Sequence, residues 1–246
     1  MDSEAFAERL PAALPRLRSV ARRMVGHPDE TEDVVQEALL RATRSLGEFR
    51  GEAQLETWLF SIVTRTAIDH LRARRRFRSQ VMIDACDERG AESVGRAFQD
   101  PSVSFDVGEH IAFCFGCVGR TLEPEQSVAL VLREVLGLGN DESAKACGVS
   151  EPIFRHRLSV AREAMATEYE GLCALVKKDG PCHQCKTLRE AAPEAQKGPP
   201  LPAMPLGYEE RVRIAHGSAG EGTRYDALRD YFARTATTLN DPGTRT

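Results

Sequence analysis

The sequence predicts an all-α protein with two small helical domains, an acidic linker between them and a C-terminal extension with short helices. Apolar residues recur at helical spacing in both predicted domains, and this periodicity fades across the acidic stretch between them. Clustered prolines then separate the last part of the chain. The predicted divisions are 1–80, the linker 81–108, 109–171, a cysteine-containing segment 172–192, a proline-rich spacer 193–207 and a helical tail 208–246.

Composition narrows the class of protein. The 246 residues carry a formal net charge of −4 and are 41% hydrophobic, which can support modest helical cores. No run approaches the roughly 18 apolar residues of a membrane span, and the acidic, proline-interrupted N-terminus is unlike a signal peptide. We therefore expect a cytoplasmic location and no membrane partner. Seven cysteines fit thiols or metal ligands in a reducing compartment better than a disulfide framework.

The first predicted domain opens with apolar residues at helical spacing, which Pro11 and Pro15 are expected to divide into a short and a longer helix. A second amphipathic helix is predicted to start at Asp29, with Glu32 completing a capping box, and to end before Gly47. Its apolar stripe is predicted to comprise Val35, Leu39, Ala42 and Leu46.

A third helix, over 54–77, carries the strongest charge signal. Its apolar stripe is Leu55, Trp58, Leu59, Ile62, Val63, Ala67 and Leu71, and its polar row is Ser61, Arg65, Asp69, Arg72 and Arg76. Residues 57–80 hold six arginines against one aspartate, a local charge of +5 in a chain of net charge −4. The arginines from 72 to 78 have few acidic neighbours in sequence, so this row predicts contact with nucleic-acid phosphates.

The second predicted domain has the pattern of a helix-turn-helix. Apolar helices are predicted over 111–118 and 125–136, followed by a short helix 141–147, a Gly-Val-Ser turn 148–150 and a reading helix 151–165. In the reading helix, Ile153, Leu158 and Ala161 are expected to pack inward. Four side chains are then available for bases and phosphates: Arg155, His156, Arg157 and Arg162.

These stretches resemble the extracytoplasmic-function (ECF) sigma factors of bacterial RNA polymerase. DETEDVVQEALLRA (29–42), FRGEA (49–53), TWL (57–59) and DHLRARRR (69–76) are similar to sigma region 2. LEPEQSVALVLREVLGL (122–138), AKACGVS (144–150) and HRLSVAREA (156–164) are similar to sigma region 4. The resemblance covers about residues 4–169. It implies a non-enzymatic specificity subunit that binds core RNA polymerase, contacts the minus-ten and minus-thirty-five elements of promoter DNA and helps to melt the DNA.

The resemblance also implies residue roles. Asp33, Gln36 and Glu37 match the helix that docks on the polymerase. The loop that captures a flipped promoter base matches Phe49 and Arg50, and the helix facing the minus-ten element matches Arg65, Asp69, His70 and Arg72, continued by Arg75 and Arg76. Trp58 is expected to pack in the core rather than stack on DNA. The acidic linker is either a segment threaded through the polymerase or a solvated tether.

The cysteines suggest a metal or redox site, although no cofactor is required by the sequence. One candidate zinc site is Cys173, Cys182, His183 and Cys185; the alternative set is Cys114, Cys117, Cys182 and Cys185. Either could be structural or sensory. Cys114 and Cys117 could equally be small core residues, because they lie among Phe113, Phe115 and Val118.

The C-terminal tail is a candidate for an inhibitor within the same chain. Short helices are predicted over 208–215 and 224–236, and the appended tail suggests self-inhibition in place of a separate anti-sigma factor.

Two other functional classes stay open on the residues alone. The first is a free-standing helix-turn-helix regulator that needs no polymerase; the second is a thiol oxidoreductase using a Cys-x-x-Cys pair, for which a strand-helix setting is lacking.

Overall fold

A computed structural model describes residues 3–49, 54–73, 98–101, 103–119, 121–180 and 182–218. In these ranges the regular structure is helical, with two isolated β-bridges and no sheet. The all-α prediction is therefore confirmed. No helix in the described ranges is both long enough and apolar enough to span a bilayer.

The N-terminal part is a three-helix bundle of α1 (Ser3–Val25), α2 (Pro28–Arg44) and α3 (Leu55–Ala73). The predicted break at Pro11 and Pro15 is wrong, because α1 runs through both prolines. Each proline removes one backbone hydrogen bond, but tertiary packing compensates for this loss. The apolar face of α1 is buried on both sides of the prolines: Phe6, Ala13, Leu17, Ala21 and Met24.

The ends of α2 also differ from the expected caps. Its N-cap is His27, whose Nδ1 accepts a hydrogen bond from the Asp29 backbone N–H at 3.2 Å. Pro28 fits the first turn, where its missing N–H costs nothing, and this places the helix start ahead of the predicted capping box. The helix ends at Arg44, before Gly47, and a short 3₁₀ turn, Leu46–Glu48, follows.

The helix-turn-helix prediction is matched by the next elements. They are α4 (Val107–Gly119), α5 (Pro124–Leu130) with its π-helical continuation Val131–Val135, α6 (Asn140–Cys147) and α7 (Glu151–Leu172). Gly148 ends α6 with φ +69°, a left-handed conformation that glycine adopts without strain. The inward position at the start of α7 was wrongly predicted: Phe154 is fully buried and Ile153 is 49% exposed.

The end of the predicted linker belongs to the packed fold. Residues 81–97 lie outside the described ranges, but Phe98, Val103 and Phe105 are buried. The Phe105 backbone N–H donates to the Gln196 carbonyl at 2.9 Å. A solvated tether is therefore wrong for the described residues from 98 onward, since apolar side chains decide their placement rather than the local acidic charge.

The C-terminal extension folds back on the second domain. It contributes α8 (Gln184–Ala191), a 3₁₀ turn (Glu194–Gln196) and α9 (Tyr208–Ser218). α9 packs on α4 and on the π-helical turn, and Leu206 before it is buried. The helix predicted over 224–236 lies outside the described residues, whereas the one predicted over 208–215 is present.

Candidate nucleic-acid interface and sulfur cluster

The proposed polymerase-docking residues share one face of α2. Asp33 and Gln36 are exposed, and Glu37 is half-exposed and ion-paired with Arg41 at 2.9 Å. Leu40 lies on the same face at 53% exposure, as the i+4 spacing from Gln36 requires. A single exposed leucine is ordinary on a protein surface. This one lies beside the residues to which the resemblance assigns polymerase docking.

The loop before α3 is described only at its edges. Phe49 is partly buried and its ring lies 5.2 Å from that of Trp58, centroid to centroid, at a tilted angle. Trp58 packs against the bundle core and is only partly buried. Arg50, with residues 51–53, lies outside the described residues.

The polar row of α3 is an ion-pair network. The Arg65 guanidinium donates to the Ser61 hydroxyl at 2.9 Å, and Asp69 accepts from Arg41 at 2.8 Å and from Arg72 at 3.3 Å. His70 pairs with Glu30 of α2 at 3.3 Å. Asp69 and His70 therefore connect α3 to α2 instead of standing free. Arg75 and Arg76 lie outside the described residues.

The same row of α3 faces the helix-turn-helix. Arg72 pairs with Glu125 at the start of α5, and the Arg65 side chain packs beside Gly148 of the turn. Burial alone would raise the pKa of Glu125, but the hydrogen bond from Arg72, a backbone hydrogen bond and the charges of Arg72 and Arg157 together hold that pKa below its ordinary value. The structure thus brings together two surfaces that were each predicted to contact DNA.

The predicted contact residues of α7 fall into two groups. Arg155 and His156 are exposed, and Arg157 is partly buried. Arg162 is 46% exposed and donates to Glu134 of the π-helical turn at 2.6 Å, where the carboxylate is only 2% exposed. Arg162 therefore has a structural partner, which the sequence did not indicate.

Three of the predicted sulfur ligands lie in the same region at the start of the extension, but their side chains do not converge as a metal site. Cys173 and Cys182 lie side by side in a parallel β-bridge, and both act electrostatically on Cys185. Burial raises the pKa of Cys185 to about 12. Gly180 permits the tight turn between them, since a Cβ there would lie 2.6 Å from the Cys173 carbonyl carbon.

Neither predicted ligand set is assembled as such. His183 is exposed at the N-cap of α8, while the side chain of Cys117 lies outside the description. Cys114 of α4 and Cys173 both influence the pKa of Arg211 and of Tyr169. In the ranges that the structure describes, no three His, Cys, Asp or Glu side chains are already placed to hold a metal ion.

Two residues of this region escaped the sequence analysis. Arg211 of α9 is 0% exposed, donates to the Cys173 Sγ at 2.8 Å and stacks over the Tyr169 ring at 4.4 Å. His110 of α4 is also fully buried, and burial, followed by the charge of Arg211, lowers its pKa to about 3. The i, i+4 spacing of His110 and Cys114 places both residues on one face of α4, and this could be seen in the sequence. No local pattern marks Arg211.

The comparisons with known proteins agree on one family. Residues 12–77 match the model for Sigma-70 region 2. The chain is 32% identical over 176 residues to the ECF RNA polymerase sigma-E factor of Escherichia coli K12, covering 70% of this chain and 90% of that protein. It is 32% identical over 152 residues to the RNA polymerase sigma-H factor of Pseudomonas aeruginosa, with 58% and 75% covered.

Two other matches either span less of the relative or have a lower sequence identity. The chain is 30% identical over 163 residues to the ECF sigma factor SigG of Mycobacterium tuberculosis H37Rv, and it spans 43% of that relative's length. Among solved structures, the sigma factor RpoE in complex with the anti-sigma factor NepR from Bartonella quintana aligns at TM-score 0.44 and 22% identity. That alignment covers 67% of this chain and 96% of the other.

Proposed function

Because the chain belongs to the ECF family of RNA polymerase sigma factors, we propose that it binds core RNA polymerase and directs it to specific promoters. It acts without catalysis of its own, as the specificity subunit of a polymerase in the cytoplasm. α2 docks on the polymerase, α3 contacts the minus-ten element, and α7 contacts the minus-thirty-five element.

The observation that carries this proposal is the exposed face of α2. Asp33, Gln36 and Leu40 share it, and Leu40 is 53% exposed, whereas Val34, Val35 and Ala38 on the opposite side of α2 are buried. An isolated three-helix bundle gains nothing from an exposed leucine at this position, whereas a partner surface buries it favourably at about 25 cal/mol per Å².

Promoter contact requires the two domains to separate. Arg65 and Arg72 of α3 lie against Gly148 and Glu125 of the second domain, so this arrangement partly covers the predicted minus-ten surface. We propose that polymerase binding opens the contact. The Arg72–Glu125 pair contributes about 0–1 kcal/mol, and the buried pair of Arg23 on α1 and Glu109 on α4, at 3.8 Å, must part as well. A docking interface of ordinary size can supply this free energy.

The test is transcription in vitro with core polymerase and promoter DNA, together with direct measurement of core binding. Leu40→Glu is expected to abolish core binding, because it places a carboxylate in the apolar part of the docking face. Thr167→Glu is the matched control, since it adds the same charge at an exposed position on a different helix, α7. Equal losses in both variants, or promoter-specific binding that needs no core polymerase, would contradict the proposal and favour a free-standing regulator.

A further inference from the structure

The apolar residue in the first turn of the reading helix faces outward. Ile153 follows Glu151 and Pro152 in α7, whose N-cap is Ser150, and it is 49% exposed. The next residue, Phe154, is fully buried and fixes the rotation of α7 about its axis. A single exposed apolar side chain is ordinary on a protein surface, so exposure alone assigns no role to Ile153. The position of Ile153 within the helix-turn-helix does assign one.

The first turns of α7 are the part of this motif that meets the bases of a DNA duplex. In a helix-turn-helix, the N-terminal residues of the second helix contact base edges in the major groove. Gly148 ends α6 in the left-handed conformation and α6 packs on α7, which is the geometry that the motif requires. Arg155 and His156 are exposed in the same stretch of α7, and basic side chains there suit the phosphates beside the groove. Ile153 stays half-exposed although α3 lies against this domain.

An isoleucine side chain finds one suitable group in the major groove. Most of the groups that the bases present there are hydrogen-bond donors and acceptors, with which an alkyl chain forms no hydrogen bond. Covering them with an apolar side chain takes away their water and gives them no partner. Thymine is the base that carries a methyl group in this groove. Contact between that methyl group and Ile153 removes apolar surface of both partners from water.

We propose that Ile153 is a specificity-determining residue of α7, which selects a thymine in the minus-thirty-five element through the methyl group of that base. The inference rests on the proposed function, since it requires α7 to lie in the major groove of promoter DNA. The basic side chains of α7 supply affinity for the DNA backbone, and Ile153 supplies discrimination between bases. Burial of one methyl group corresponds to a factor of about 4 in affinity, so we expect a discrimination of about 3-fold to 10-fold.

The first experiment finds the preferred bases by selection. The full chain with core RNA polymerase selects duplexes from a pool randomised over the minus-thirty-five region, and the full chain alone is tested in parallel. We expect one position at which thymine predominates, and we expect Ile153→Ala to lose the preference at that position alone. Val160→Ala is the matched control and is expected to keep it, because Val160 is an exposed apolar residue about two turns further along α7.

The second experiment removes only the methyl group. Uracil replaces the selected thymine and keeps its hydrogen-bonding groups, so the unmodified chain and Val160→Ala are expected to bind about 3-fold to 10-fold more weakly. Ile153→Ala is expected to bind both duplexes equally. The converse change places cytosine or 5-methylcytosine at this position. The unmodified chain is expected to favour 5-methylcytosine by a similar factor, and Ile153→Ala is expected not to distinguish the two.

The outcomes separate this inference from the proposed function. Equal affinity of the unmodified chain for thymine and uracil duplexes, or an unchanged preference in Ile153→Ala, would overturn the role of Ile153. If the chain still bound core polymerase and initiated transcription, the proposed function would stand. Thymine selection by the chain alone, without core binding, would support Ile153 and reject the polymerase function. Absence of selective DNA binding in both preparations would overturn both. The uracil comparison in the unmodified chain needs no folded variant.

Discussion

Two of the contacts made with the second domain, that of α3 and that of α9, are built differently. The contact with α3 is made by exposed charges, with Arg72 and Glu125 at its centre. The contact with α9 is made by buried groups, with Arg211, Tyr169 and the sulfur cluster at its centre. Exposed pairs are screened by water and salt, whereas buried groups resist separation unless their partner is replaced. The first contact therefore suits opening by a binding partner, whereas the second resists separation.

The largest effect is expected where the buried contact is most apolar. Phe115 of α4 is fully buried and meets Tyr169 and Tyr208 edge-on, each with ring centroids 5.8 Å apart. Phe115→Ala is expected to lower the free energy of unfolding by about 3–5 kcal/mol, measured by urea denaturation. Ile153→Ala, at an exposed position, is expected to change it by no more than about 0.5 kcal/mol. Similar small losses in both variants would show that α9 contributes little to this core.

The next effect concerns Arg162, which is itself half-exposed but is paired with the buried carboxylate of Glu134. Arg162→Met leaves the buried Glu134 carboxylate without its cation, and we expect a loss of about 2–3 kcal/mol of stability. Arg155→Met removes an equally basic but exposed side chain and is expected to be nearly neutral in stability. If both variants lose promoter affinity but only Arg162→Met loses stability, the two roles of Arg162 are separated. Equal stability of the two variants would rule out the structural role.

A pH effect of about 2 kcal/mol is expected from His110. Burial lowers its folded-state pKa to about 3, while the unfolded chain titrates near 6.5. The unfolded state therefore binds more protons between these values, so stability is complete above about pH 6.5 and falls as the pH is lowered. Between pH 6.5 and 5 the loss is about 2 kcal/mol.

The control for this pH effect is another histidine. His110→Gln is expected to flatten the dependence of unfolding free energy on pH across this window. His156→Gln, at an exposed position on α7, is expected to keep it. A flat profile in the unmodified chain would show that the imidazole of His110 is already accessible to protons in the folded state.

The two contacts also differ in how far the sequence predicted them. The helices α2, α3, α6 and α7 follow from apolar periodicity and glycine turns, which are local signals. Phe154 and Ile153 are adjacent apolar residues at the start of α7, and only the position of the neighbouring helices decides which is buried. Arg211 lies on a short helix with no local mark, and it contacts Cys173, 38 positions away, and the Tyr169 ring. Contacts between distant segments of the chain leave no periodic pattern in the sequence.

The candidate DNA-contact residues show the same limit. The α3 arginines are visible as a charge pattern, but the pairing of Arg72 with Glu125 joins residues 53 positions apart. A count of nearby acidic residues could not find it. The acidic residues between 81 and 109 predicted a linker, with a solvated tether as one of two alternatives, yet Phe98 and Phe105 are buried.

The smallest effect is expected at the exposed contact. The coupling energy of Arg72 and Glu125, from a double-mutant cycle with alanine at both positions, is expected at about 0–1 kcal/mol and to fall as salt is raised. Lys145 and Asp141, an exposed pair within α6 at 2.7 Å, form the matched control. Its coupling should be similar, but only the Arg72 and Glu125 variants should increase the distance between dyes placed on α1 and α7. A coupling well above 2 kcal/mol that ignores salt would mean that the domain contact is a fixed interface, and that polymerase must dock on the closed form.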